Sequence, residues 1–318
     1  MAAPIIEPIE KYGLHKRKRK KNLFSKIGVV GCGKEGSVIA TIAASSGIEV
    51  VFLEPTEEKI TNAFARIEEK LDTKIANWGL TQNEKKIILG RIKGTKEYKD
   101  FSGCDFAIEA IRYDENTGER GVNRRKEVFN ELEKMLTPDA VIASNASTVV
   151  VTDLASELNH KERCIGLHFL SNVPGAQIIE IVRGLYTSDS AFEKVCLFAK
   201  LINHEFVEVK ESSGLISIRL FLIQLNEACA MLMEGIATVE DIDRVLTGGF
   251  GHRLGVFRIA DQMGIEKVVK LLENLYNEYG HLKYKPSPIL LRLYRAKQFG
   301  KRTGKGFYTY DRSGNIVK

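Results

Sequence analysis

The chain has 318 residues, 44% hydrophobic and 28% charged, which fits a globular protein of one to three domains with room for large cores. Its formal net charge is +6, but the first 25 residues hold seven basic and two acidic groups. The rest of the chain is therefore nearly neutral, which excludes a sequence-wide basic stripe for nucleic acid. The basic block at residues 16–21 has no interleaved aromatic residue and reads as a solvated arm, 1–25. The five cysteines are scattered, with no CxxC pair, and no apolar leader opens the chain. Reduced thiols in a cytoplasmic protein are expected.

After the arm, apolar runs alternate with amphipathic ones. Residues 26–30 read as a buried strand, 36–46 as a helix stopped at Gly47, and 48–54 as a second strand. Thr56 caps a long helix to about Asn77, with Glu57 and Glu58 in its first turn, where the dipole favours acids. Gly79 is expected to end it, and 81–89 to form another helix. Further strands are expected at 105–111, 140–144, 164–169, 178–182 and 206–209, with helices at 123–136, 152–158 and 190–202 between them. Such alternation predicts an α/β, Rossmann-like doubly wound sheet. Beyond about residue 211 the pattern is helical throughout: 214–235, 238–246, 253–263, 265–279 and 288–299. The expected organisation is therefore a Rossmann-like domain over 26–210 and an all-helical domain over 211–318. The apolar stretch 215–237 carries Arg219, Gln224, Asn226, Glu227 and Glu234, so it reads as a buried or interface helix rather than a membrane span.

Two constellations carry chemistry. Gly31-Cys32-Gly33-Lys34-Glu35-Gly36 is a GxGxxG loop between the first strand and its helix, and Glu54 closes the second strand 23 residues after Gly31. Glycines allow the tight turn and the close approach of a pyrophosphate, helix amides bind it, and the acid takes the ribose hydroxyls. A carboxylate at 54 repels a 2′-phosphate, so NAD is expected over NADP. Glu35 is an awkward charge in that loop, which neighbouring Lys34 could offset. The second constellation is His168 and Glu180, each six residues from Pro174 in a turn, on two apolar strands. Antiparallel pairing brings them together, and a carboxylate amid Ile and Val needs such a partner. A His polarised by Glu is a general base for a hydroxyl, or the acid in reverse. The remaining histidines have no HxH or HExxH spacing, so no metal site is expected.

Together with Ile108-Glu109-Ala110, Ser144-Asn145-Ala146-Ser147, the 238–243 segment and Arg302-Thr303-Gly304-Lys305-Gly306-Phe307-Tyr308, these residues resemble the L-3-hydroxyacyl-CoA dehydrogenase family over about 26–310. The resemblance implies a helical dimerisation domain, a cleft between the domains, and NAD-dependent oxidation of a 3-hydroxyacyl-CoA, hydroxybutyryl-like, in fatty acid metabolism. It implies His168 as base, Glu180 as its orienter and Ser147 on the substrate oxygen. It places Glu109 and Asn145 at the nicotinamide, Lys34 with the loop glycines at the cofactor, and Ser171 at the substrate. Ser147 and Asn145 are equally natural as a turn after a strand. Arg66, Lys70 and Lys74 suit CoA phosphates, or a solvated helix face.

Several family positions are changed here. Ser171-Asn172 stands where the family has Asn-Pro, Ile218 where it has a substrate-contacting Asn, and Glu35 where it usually has Met. Extra residues also occur within 112–123. These departures fall at the cleft, and Ile218 is expected to make it more apolar. They leave two other readings open: a nucleotide-binding homologue with impaired catalysis, and a dehydrogenase of a small hydroxy acid or polyol without CoA.

Overall fold

Short runs of Val, Ile and Phe without a polar break can be buried on both faces, and here they form the interior of one sheet. The structure, a computed structural model, describes residues 24–111, 121–170 and 175–317. The basic block of the arm, most of the 112–123 insertion, and the turn holding Ser171 and Pro174 lie outside the described residues. Eight strands follow in chain order: β1 (Lys26–Val30), β2 (Glu49–Leu53), β3 (Ile92–Thr95), β4 (Phe106–Glu109), β5 (Val141–Ser144), β6 (Cys164–Phe169), β7 (Ile178–Arg183) and β8 (Glu205–Lys210). Their order in the sheet is β3-β2-β1-β4-β5-β6-β7-β8. Pairing is parallel except between β6 and β7.

The connecting helices are α1 (Lys34–Ser45), α2 (Glu57–Ala76), α3 (Gln82–Leu89), α4 (Val122–Met135), α5 (Val151–Ala155) and α6 (Asp189–Leu201). They cover both faces of the sheet. Ile27, Val50 and Phe106 pack with α1, α2 and α6, whereas Val51, Ala107 and Ile142 pack with α4 and α5. The fold is thus the doubly wound Rossmann-like sheet that the alternation predicts. β3 has no counterpart among the expected strands. Its four residues form an edge with Lys93 exposed and only Ile92 and Thr95 buried, too short a pattern to register as a period.

Thr56 caps α2 through its side chain, accepting from the Lys59 amide, and Thr81 and Glu84 form a capping box on α3. α2 ends where expected, with Asn77 as its C-terminal cap. The left-handed residue is Trp78 (φ 59°), one position before Gly79, whose amide closes onto the Lys74 carbonyl. A bulky residue is disfavoured there, and Trp78 is 97% exposed, so no burial of its side chain offsets the backbone cost.

The C-terminal domain is helical: α7 (Leu215–Met233), α8 (Val239–Arg244), α9 (Val256–Met263), α10 (Ile265–Tyr279) and α11 (Pro288–Arg295). By length and composition α7 could cross a bilayer. Here its Leu222, Leu225 and Cys229 build a core with Val256, Phe257 and Leu272.

Two buried carboxylates tie the C-terminal hairpin to this core. Asp261 of α9 accepts from the Phe307 and Tyr308 amides (3.0 and 2.9 Å) and the Tyr310 hydroxyl (2.9 Å). Asp243 of α8 accepts from the Phe257 and Arg258 amides and the Tyr308 hydroxyl. Burial pushes both carboxyls up from the ordinary range, and these donors oppose it. Gly306 is required because a Cβ there would lie 2.1 Å from Asp261 Oδ1. Asp261→Ala strands three donors in an apolar setting, so it should cost about 3 kcal/mol. Urea denaturation followed by circular dichroism should show that loss as a lower midpoint.

Candidate active site

The loop after β1 is shaped by close backbone approach. Gly31 takes φ +88°, and its amide donates to the Leu53 carbonyl (3.0 Å). A Cβ on Gly36 would lie 1.9 Å from the Gly31 carbonyl oxygen, so α1 can meet the loop only with glycine at 36. Gly33 caps α1 without a side chain, which leaves the first-turn amides of α1 for an anionic ligand. Glu54 closes the loop by accepting from the Cys32 amide (2.6 Å). These are the features a dinucleotide needs: room at the backbone for phosphates, amides facing them, and a carboxylate beside the ribose position.

The charge in the loop is compensated from an unexpected direction. Lys34 Nζ donates to the Gln262 carbonyl (2.6 Å) in the last turn of α9, where the helix dipole favours a cation. Glu35 is paired with Lys267 of α10 (3.2 Å). Both contacts reach across to the helical domain, which a reading of the loop alone has no means of locating. Arg66 and Lys70 on α2 act electrostatically on Cys32, and burial pushes the Lys70 ammonium down from its ordinary range. Their charge is therefore beside this loop; Lys70 is half-buried, and Arg66 is exposed, as is Lys74.

Register creates the second centre. β6 and β7 pair antiparallel with His168 opposite Glu180, and Gly166 opposite Val182 admits the close approach. His168 Nδ1 lies 2.7 Å from Glu180 Oε2, and both side chains are buried. Only an N–H can face a carboxylate oxygen, so Nδ1 carries a proton, and in the neutral imidazole Nε2 keeps its lone pair. The remaining capacity of Glu180 is filled from α7. Oε1 accepts from the Ile216 and Ser217 amides (2.9 Å each), and Oε2 also accepts from Ser217 Oγ (2.7 Å). Burial alone would raise the Glu180 carboxyl. The bonds from His168 and Ser217 outweigh it and hold the group below the ordinary carboxylate range. Sequence reading overlooked Ser217; the only hint was a serine in the first turn of an otherwise apolar helix.

The other expected residues separate by environment. Asn145 is beside the pair, its Oδ1 accepting from the Phe169 amide (3.0 Å). Ser147 is half-buried, and its carbonyl accepts from the Gly214 amide (2.7 Å) at the entry to α7. Glu109 is wholly buried, accepting from the Ile111 amide, the Arg125 guanidinium and the Ser144 hydroxyl. Its oxygens are thus engaged by the protein. Ile218 does not line an opening: it is 6% exposed and belongs to the helical core, because it sits on the inward side of α7 with Leu222 and Leu225. Ser171 lies outside the described residues.

Comparison with known proteins agrees with this arrangement. The family description "3-hydroxyacyl-CoA dehydrogenase, NAD binding domain" matches residues 26–212, and "3-hydroxyacyl-CoA dehydrogenase, C-terminal domain" matches 214–310. A 3-hydroxybutyryl-CoA dehydrogenase of Mycobacterium tuberculosis is 34% identical over 289 residues, covering 90% of this chain and 99% of that protein. A probable 3-hydroxybutyryl-CoA dehydrogenase of Deinococcus radiodurans is 33% identical over 285 residues, covering 90% of this chain and 100% of that protein. Among solved structures, the (S)-3-hydroxybutyryl-CoA dehydrogenase of Ralstonia eutropha superposes with a TM-score of 0.80 at 30% identity, covering 91% of this chain and 100% of that one. With a dinucleotide loop, a helical second domain and matches along nearly the whole length, the chain belongs to the 3-hydroxyacyl-CoA dehydrogenase family of NAD-dependent oxidoreductases.

Proposed function

We propose that this chain oxidises an L-3-hydroxyacyl-CoA of hydroxybutyryl type to the 3-ketoacyl-CoA, with His168 as general base. The observation that carries the reading is the buried His168–Glu180 hydrogen bond, which fixes the tautomer and leaves Nε2 as the acceptor. Bound NAD supplies the acceptor for the hydride that leaves C3. His168 Nε2 takes the hydroxyl proton, and Glu180 stabilises the imidazolium that forms. In the reverse direction the imidazolium returns that proton to the substrate oxygen. Ser147 is assigned to the same oxygen, and Asn145, which already braces the end of β6, to the nicotinamide side. Ser171 is assigned to the substrate. Glu109 acts indirectly, by holding Ser144 and Arg125 under the cofactor site.

Gly31, Gly33 and Gly36 shape the pyrophosphate site, and Glu54 receives the adenine ribose. Lys34 acts on the cofactor through the loop, which it ties to α9. Arg66 and Lys70 add positive charge for phosphate groups there. The domains are assigned to 26–210 and 211–318. Exposed Leu220, Met233, Ile236, Phe250 and Leu282 on the helical domain supply apolar area for a second copy, hence a homodimer. All five cysteines are unpaired and buried, which suits a reducing compartment such as the cytoplasm.

Reduction of acetoacetyl-CoA should consume NADH, read as loss of nicotinamide absorbance. His168→Ala should lower kcat by about 10²–10⁴-fold, the usual contribution of a positioned acid–base group. NADH binding without turnover would overturn the catalytic reading. Separately, Lys267→Met removes one cationic partner of Glu35 beside the pyrophosphate site. NADH affinity, titrated by its fluorescence, should fall about tenfold, the equivalent of about 1.4 kcal/mol of added repulsion. Glu35→Gln in the same chain should restore it.

A further inference from the structure

The two oxygens of Glu180 are not equivalent. Among the described residues, Oε1 accepts only from backbone, the Ile216 and Ser217 amides. Oε2 is shared, accepting from His168 Nδ1 and from Ser217 Oγ at 2.7 Å each. His168 and Glu180 come from neighbouring strands of the sheet, but Ser217 comes from the helical domain. It is delivered by a tight entry turn, in which Gly214 (φ +86°) and Leu215 (φ +51°) both take left-handed backbone. A Cβ at Gly214 would lie 2.8 Å from Leu275 Cδ2, so that turn is also pressed against α10.

An O–H donor on a carboxylate oxygen is a strong, charge-assisted bond, and it competes with any other donor to that oxygen. Other charges near the pair are committed elsewhere. On β7, Arg183 is held by Asp189 and Glu208, the latter from β8. On α7, Arg219 donates to the Tyr284 hydroxyl and lies over the Tyr279 ring. β8 places Val207 directly beside Glu180. On β6, His168 is itself the titrating group. Among the described residues, the Ser217 hydroxyl is thus the one side-chain donor that shares Oε2 with the imidazole.

We propose that Ser217 is a positioning residue of this site, which fixes the orientation of the Glu180 carboxylate and limits how strongly that carboxylate retains the proton on His168. The proposal rests on the reading of His168 as the base. Its sign follows from the shared oxygen. Without the hydroxyl, Glu180 becomes more basic and stabilises the imidazolium better. His168 then loses its proton only at higher pH, and the neutral base that oxidation requires is reached later.

The test is Ser217→Ala in the full chain, with Ser217→Thr as the variant that keeps the hydroxyl. Two readouts apply: NMR titration of the His168 imidazole without cofactor, and the pH profile of kcat/KM for oxidation. Loss of one hydrogen bond corresponds to a shift of about half to one pH unit. The expected result is an imidazole midpoint and an acidic limb both higher by that amount in Ser217→Ala, and both restored in Ser217→Thr. An unmoved imidazole midpoint in Ser217→Ala overturns the proposal, as does a change in KM with no movement of the limb. The His168→Ala control separates the two readings. If that variant retains full turnover, the base assignment fails whatever Ser217 does. If it is inactive while Ser217→Ala titrates as wild type, only the role given to Ser217 fails.

Discussion

The central constraint is a buried carboxylate that its own domain cannot satisfy. Glu180 stands in an apolar strand, and among the described residues the sheet offers it one partner, His168. Its other three hydrogen bonds come from the first turn of α7. That turn has amides without intrahelical acceptors, so each side supplies what the other lacks. A buried charge left with one partner would be costly. The His–Glu pair is therefore completed only when the helical domain is docked, and the same docking brings Lys267 to Glu35 and Gln262 to Lys34. Both constellations, the glycine loop and the His–Glu pair, thus make contacts across the domain junction.

The basic arm accounts for nearly all of the net charge. In the proposed reading, the anion site works through local groups: first-turn amides, glycines that let backbone approach backbone, and a few cations held close to the loop. A carboxylate in the phosphate loop is tolerable because a lysine from the other domain neutralises it.

Much of this was legible in the sequence. Buried strands advertise themselves as uninterrupted Val and Ile, and the cap Thr56 marks the start of its helix. The equal spacing of His168 and Glu180 about Pro174 predicts the register that pairs them. What stayed hidden has physical reasons. β3 is a four-residue edge strand with one exposed lysine, so it shows no clean period. Trp78 takes the left-handed position beside a glycine better suited to it. Ser217, Lys267 and Gln262 are distant in sequence from the residues they serve, and no local pattern signals a contact made by domain docking. Ile218 illustrates the same limit: its side chain turns into the helical core, and the polar group reaching the site is its neighbour, Ser217.

Amide hydrogen exchange at Ile216 and Ser217 tests the central claim most directly, compared between the wild-type chain and Glu180→Ala. First-turn amides of a helix have no carbonyl of their own to bind, so protection there can come only from an external acceptor. The account predicts slow exchange at both positions in the wild type and its loss in Glu180→Ala, with the α10 core still protected. Fast exchange in the wild type, or protection that survives removal of the carboxylate, would contradict it.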